Sequence, residues 1–302
     1  MQDIKQRIKI SKFWNGIFWI IGLMSTLIGL VLLLVLMIDL FTDGAPRLSY
    51  KFFTSFPSRF PEEAGILSAW VGSFLVLLVT AGAAIPLGVA AGIYLEEYAR
   101  KHWITDIIEI NIANLAGVPS IVYGLLALGL FVYLLKFGES ILTAGLTLGL
   151  LILPMIIMAT REAIRAIPGS IREASYALGA TKWQTVQWHI IPYSMGGILT
   201  GIIIGLSRAI GETAPIITVG ALTFIAFLPN SPFTSDFPFL SFKWLMDPFT
   251  VMPIQMFNWV SRPQKEFQLN AAAAGIILMA MTLLMNGAAI YIRYKFRKRI
   301  RW

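Results

Sequence analysis

SIREASYALGATKWQTVQWHIIPYSMGGILTGIIIGLSRAIGETAP, residues Ser170–Pro215, changes character halfway along. Its first half is polar and charged. Its second half is apolar but carries Arg208 and Glu212, where hydrocarbon tolerates neither cheaply. Pro168-Gly169 act as breakers, and Ser170 and Glu173 have the S-x-x-E spacing of a capping box, so a short helix is predicted from there. Gly179 ends it, as glycine does just past a helix C-terminus. Thr181 and Gln184 repeat the capping spacing and predict a second short helix to about Ile191, after which Pro192 restarts the chain as a membrane helix. Ile171, Ala174, Ser175 and Leu178 share a face of the first helix, and Trp183, Val186, Gln187 and Ile190 a face of the second. Two such helices suit a groove on a partner protein, and equally an interfacial loop on lipid headgroups; spacing alone leaves both open.

Outward from this stretch, the chain has the composition of a membrane protein. Of its 302 residues 57% are hydrophobic and 13% charged, against about 25% charged in ordinary soluble domains. Met1–Lys12 is basic. Phe13–Ile38 carries no charge, and it is too long for a signal peptide and lacks a small-residue cleavage site; it is a first transmembrane helix. After a loop at 39–64, further spans are expected at Ile66–Tyr94, Ile107–Leu135, Ile141–Thr160, Tyr193–Glu212 and Leu269–Ile292. Pro86 and its neighbouring glycines permit a kink or close contact in the second span, and Pro119 should bend or break the third. Asn111, Asn114 and Ser120 there either satisfy backbone and neighbouring helices or line a pathway.

From Pro192 to Leu228 one straight helix would measure about 55 Å against a hydrocarbon core of about 30 Å. A break is therefore expected at Ala214-Pro215, with Ile216–Leu228 as an apolar continuation. Residues 229–268 form a long loop whose Trp244 and Trp259 suit an interfacial aromatic belt. The fold class is all-α and polytopic, with six transmembrane helices. Three stretches divide it: 1–65 with the N-terminal tail, first helix and following loop; a 66–292 transmembrane domain containing the 161–192 loop; and a basic tail, 293–302. Lys and Arg number sixteen on the side of the two tails, the second–third turn and the 161–192 loop, and seven on the other. The positive-inside rule puts both termini and that loop in the cytoplasm.

Arg208 lies sixteen residues past Pro192, about 24 Å along a helix and so in the middle or far half of the bilayer. Unpaired at the centre, it would cost about 2.5–3.5 kcal/mol. Glu212 follows one turn on, on the same face. Two readings stand. Either the pair neutralises itself and staples the bundle, or it lines a path for an oxyanion. A guanidinium offers planar, bidentate donors to phosphate oxygens. Glu212 would keep such a site from becoming a sink and could accept from a protonated phosphate, and Thr213 adds a hydroxyl.

Glu173-Ala174-Ser175, Gly179 four residues after Ser175 and Pro192 thirteen after Gly179 resemble the EAA loop of ABC importer permeases. The family pattern is E-A-A, three residues, Gly, nine residues, I-x-L-P. This chain departs from it at Ser175, His189 and Ile191, which leaves the spacing whole. NLAGVPSIVYGLLALGLF (Asn114–Phe131), IPLGVAAGIYLEEYA (Ile85–Ala99) and SRAIGETAP extend the resemblance, from about Ala69 to Ile292, to phosphate importer permeases of the PstA type. Residues 1–65 and 229–268 look individual.

That resemblance implies a type I importer permease (MetI-like) fold in a prokaryotic inner membrane. In it, Glu173, Ala174, Ser175, Gly179 and Pro192 belong to the loop that seats in a cytoplasmic ATP-binding subunit. It implies two copies of that ATPase, a second homologous permease as heterodimer partner, and a periplasmic or extracellular phosphate-binding protein. Arg208, Glu212 and Thr213 would line half of the path. ATP and Mg would sit on the ATPase, and this chain would bind no cofactor. Molybdate or sulfate, or the role of the sister phosphate permease, are alternatives within the class; the C-type sister differs in the text after Arg208.

Other classes fit less well. The net charge of +8 lies at the edges of apolar runs rather than in one basic stripe, which excludes nucleic acid as the partner. With no cysteine there is no disulfide framework. His102 and His189 come without HExxH or an acidic cluster, there is no G-x-x-x-x-G-K-[ST], and so no catalytic or metal constellation is expected. Glu62-Glu63 and Glu96-Glu97 are expected to be solvated loop pairs. A secondary carrier or channel would show inverted repeats and more ionisable residues in the spans.

Overall fold

The computed structural model describes residues 2–100, 102–233, 239 and 241–297, and among these it is entirely helical and irregular, without strands. In chain order the helices are α1 (Gln2–Gly44), α2 (Tyr50–Thr54), α3 (Leu67–Ile93), α4 (Trp103–Leu115), α5 (Ser120–Ala127), α6 (Ile141–Arg165) and α7 (Gly169–Ala177). Then follow α8 (Lys182–Thr185), α9 (Ile191–Gly211), α10 (Ala214–Thr218), α11 (Met252–Val260) and α12 (Glu266–Arg297). Five stretches are long and apolar enough to cross a membrane; α4 and α5, bent by 105° at residues 116–119, make a sixth if taken together. The expected break at Pro119 is there. Pro119 has no N–H to give and holds extended backbone before Ser120, while Tyr123 Oη donates to the freed Leu115 carbonyl (2.7 Å).

The core lies along α6, whose buried face (Ala144, Leu148, Leu151, Ile152, Ile156) packs between α3, α5 and α9. Thr80 Oγ1 on α3 bonds its own helix at Val76 O (2.9 Å) and crosses to Gly145 O on α6 (3.1 Å). Polar side chains also join α9 to α12: Ser207 Oγ to Asn286 Oδ1 (2.6 Å) and Arg293 Nη1 to Thr200 Oγ1 (2.8 Å). Asn111 satisfies backbone, donating to Ile107 O at 2.8 Å. α1 packs against α12, and near its end Gly44 and Leu40 touch that helix.

Two expectations fail in the second half. Helix α9 stops at Gly211, two residues before Ala214-Pro215, and Glu212 is already extended (φ −74°, ψ 133°). Pro215 instead occupies the first turn of α10, where its missing N–H costs nothing. Residues 216–228 do not continue as a helix beyond Thr218; they turn back irregularly, with Gly220 at φ +88°.

The two tryptophans expected in an aromatic belt do not lie in one. Trp244 and Trp259 are 6% and 0% exposed. Trp259 sits in a second core with Phe52, Ile66, Met252 and Phe267, and its Nε1 donates to Gln255, whose amide is turned to accept it (3.0 Å). Residues 241–265 are a folded cap rather than a headgroup-level loop, because this indole finds its polar partner inside the protein. The basic tail beyond Arg297, with Lys101, lies outside the described residues.

Candidate functional site

Arg208 leaves the last turn of α9 and its Nε donates to Glu212 Oε1 at 3.1 Å. Its Nη1 approaches Met155 Sδ on α6 at 3.6 Å, and Nη2 has no protein partner among the described residues. The guanidinium is about one-third exposed and the Glu212 carboxylate half as much, at 35% and 17%. Glu212 faces a small pocket with Ser73, Val76, Leu148 and Ile216. The unwound Glu212-Thr213 step lets the carboxylate fold back onto Arg208 even though it is no longer helical. Thr213 O caps α10, accepting from Ile216 N (3.1 Å) and Ile217 N (3.0 Å). The pair spends one guanidinium edge and leaves the other directed away from Glu212. The structure thus shows the neutralising pair, and neutralisation does not exhaust the donor set of the guanidinium.

What holds α10 in place is α5. Gly124 lies against it so closely that a Cβ there would stand 2.7 Å from Pro215 Cα and overlap the Thr218 hydroxyl. Only glycine allows that approach.

At the opposite end of α9 the chain forms an elbow from α7 and α8. Ser170 does not cap α7; the helix begins one residue earlier at Gly169 behind Pro168, whose extended backbone fills the cap position. Gly179 does terminate it, at φ +83°, with Ala180 N to Ser175 O (3.2 Å) and Gly179 N to Tyr176 O (2.9 Å), the paired bonds of a Schellman motif. The capping box of Thr181 and Gln184 is present in both directions. Pro192 does not restart the chain. The path from α8 into α9 is continuous through a wide turn at Val186–Ile190, which relieves the ring's clash with the preceding carbonyls.

Each predicted elbow face is divided by the fold. Ile171 and Ser175 turn toward the body, and Ser175 Oγ bonds Thr185 Oγ1 at 2.8 Å, while Ala174 and Leu178 face out. Val186 and Ile190 are buried with Ile164 and Ile167 of the α6 end, while Trp183 and Gln187 are exposed. Leu178, Trp188 and Trp183 present 89%, 68% and 59% of their surfaces. Glu173 is exposed and makes no ion pair among the described residues.

The sequence reading missed the charges behind the elbow. Glu96 and Glu97 are not a solvated pair. They sit on a wide π turn, Tyr94–Tyr98, that continues α3, and Glu97 is buried. Glu97 Oε1 accepts from Arg172 Nε (2.9 Å) and Nη2 (2.6 Å). Glu96 takes Arg165 at 2.9 Å and Arg161 at 3.6 Å, and buried Arg161 also holds Glu109 of α4 at 2.5 Å. The available signal was arithmetic: three arginines follow within the 161–172 stretch, and two of them lie in or next to an apolar run that could not leave them unpaired.

A bundle of membrane helices with an ion pair at a broken helix end and a helical elbow bearing exposed aromatics has the build of a multi-pass transport subunit. Residues 84–301 match the family described as "Binding-protein-dependent transport system inner membrane component". The chain belongs to that family and is an ABC importer permease. It is 31% identical over 295 residues to the "Probable ABC transporter permease protein YqgI" of Bacillus subtilis (96% of this chain, 97% of that one). That match runs into the first 65 residues, which are therefore less individual than they look. It is also 32% identical over 276 residues to the "Phosphate transport system permease protein PstA" of Yersinia pestis (90% and 86%). In fold it is similar to a solved chain of the MetNI methionine ABC transporter in an inward-facing conformation, with TM-score 0.56, 16% identity, and coverage of 74% of this chain and 94% of that one. As such a subunit, the chain is a transport component rather than an enzyme.

Proposed function

We propose that this chain is the PstA-type permease of an ATP-driven importer of inorganic phosphate. Arg208 is the observation that carries the reading. It is a guanidinium within the membrane-spanning part, held by Glu212 through Nε alone, with an edge left to form two parallel bonds to a phosphate oxygen pair. Glu212 and Thr213 flank it at the α9–α10 break. Relatives named as phosphate permeases, at 30–33% identity over about four-fifths or more of the chain, support the choice of anion.

The α7–α8 elbow faces the cytoplasm, where the sixteen Lys and Arg lie. There it seats in the ATPase through Leu178, Trp183 and Trp188, with unpaired Glu173 available to a basic partner group. Glu173, Ala174, Ser175, Gly179 and Pro192 form its frame. Two ATPases, a second permease supplying the other half of the path, and a phosphate-binding protein complete the complex. ATP and Mg belong to the ATPase.

The test is uptake into proteoliposomes holding the assembled complex, the phosphate-binding protein and trapped ATP. Radiolabelled phosphate should accumulate only with ATP, and excess sulfate or molybdate should not compete. Competition by either anion would move the assignment to another oxyanion, and accumulation without ATP would move it to a secondary carrier.

A further inference from the structure

Helix α7 has nine residues, too few to hold a direction by itself. Its attachments to the body are few: Ile171 half-buried in the small core under the elbow, the Ser175–Thr185 hydroxyl contact to α8, and Arg172. Arg172 is the strongest of the three. Its guanidinium gives two hydrogen bonds to Glu97 Oε1 at the end of α3. It gives two more to carbonyls at and just past the end of α6, Nη2 to Ile164 O at 3.2 Å and Nη1 to Ile167 O, in the link to α7, at 3.0 Å. One side chain on the elbow thus grips two spans at once. The acid it uses is withdrawn from solvent, with 5% of the Glu97 side chain exposed. Glu96, next along the π turn, points to the other side and ties the same turn of α3 to Arg161 and Arg165 of α6. Arg161 carries the tie on to α4 through Glu109. The end of α3, the middle of α4 and the end of α6 are therefore one ionic block, and Arg172 is α7's polar link into it among the described residues; on α8, Lys182 Nζ lies over the Tyr98 ring of the same π turn, 5.1 Å from its centroid.

We propose that Arg172 and Glu97 are positioning residues for coupling. Force applied to the elbow enters α3 and α6 through this pair, and without it α7 swivels on the Gly179 turn while the spans stay still. The block leads directly to the anion-handling end, because α6 carries Met155, which touches Arg208, and packs along α9. The pair lies on the body side of α7, away from exposed Leu178 and Trp183, so its loss leaves the outer surface of the elbow intact. This rests on the elbow being the ATPase seat, as argued under Proposed function.

The experiment uses the complete complex with ATPase, second permease and phosphate-binding protein, and compares ATP hydrolysis with and without phosphate-loaded binding protein. Arg172→Gln and the milder Glu97→Gln should each keep the ATPase on the complex and cut the stimulated-to-unstimulated ratio about fivefold or more. The chain has no cysteine of its own. In the Glu97→Cys/Arg172→Cys variant, a short bis-thiosulfonate bridge should restore the ratio, and reductant should remove it again. A merely structural pair would lower thermal stability and leave the ratio alone. A ratio within about twofold of wild type, a bridge that restores nothing, or loss of the ATPase from Arg172→Gln overturns the inference. The seat itself is judged separately by Leu178→Glu and Trp183→Glu: if both retain the ATPase, the docking reading falls, whatever Arg172 does.

Discussion

Arg208 and Glu212 form one ion pair at the end of α9, which is the site proposed for the anion. The single hydrogen bond at 3.1 Å keeps the guanidinium oriented without consuming it. Arg208→Lys keeps the charge but loses the planar fork, so uptake should fall about tenfold or more, corresponding to the 1.5–3 kcal/mol of a charge-assisted hydrogen bond. A lysine variant transporting at the wild-type rate would show that charge alone suffices. Ser175 is the smaller case. Its hydroxyl, buried against Thr185 at 2.8 Å, is the one place where the departure from E-A-A has a visible structural use.

At the scale of elements, the turns decide. Gly179 sits at φ +83°, and an added Cβ would meet no atom within 4 Å. Gly179→Val should therefore act through backbone strain alone, about 1–2 kcal/mol for a left-handed residue. The elbow should loosen, visible as faster proteolysis at 177–182 and weaker ATPase retention; unchanged cleavage would contradict this. Gly124 is the opposite case, a position without room. Gly124→Val should push α10 off α5 and disturb Glu212-Thr213, reducing uptake while the elbow still holds the ATPase. The elements themselves were legible in the sequence wherever one residue type forces one backbone outcome: the Pro119 break, the Gly179 stop and the Thr181–Gln184 box all stand where the sequence puts them. The start of α7 was misplaced by a residue, and the break after α9 falls at Glu212-Thr213 rather than at Ala214-Pro215, because Ser170 and Pro215 each have two permitted helical positions and only tertiary contacts choose between them. The arginines of 161–172 signalled that acids must lie near them, but not which ones, because Glu97 and Arg172 are 75 residues apart and sequence spacing carries no information about such pairs.

On the scale of the whole molecule, three regions have different duties: a polar-pinned elbow end, a central helix α6, and a folded cap at the far end. The cap's Trp244 and Trp259 read as belt residues because an aromatic-rich loop between spans has the same composition whether it lies on headgroups or folds inward. Trp259 joins α2, α11 and α12, stacking near Phe52 and Phe267 at 6.0 and 6.4 Å. Trp259→Ala should cost about 3–5 kcal/mol, seen as a lower unfolding temperature of the purified complex in detergent; an unchanged temperature would mean the cap is not part of the fold's stability. α1, exposed along nearly all of its described side chains, presents a broad apolar surface suited to lipid. The proposed function joins all three scales: an arginine kept half-free in the membrane would handle the anion that the elbow's partner drives inward. Its most direct measurement is ATP-dependent phosphate uptake by the assembled complex carrying Arg208→Ala, with ATPase retention checked on the same preparation. Uptake abolished while the ATPase stays bound is the result expected; wild-type uptake in that variant would contradict the account.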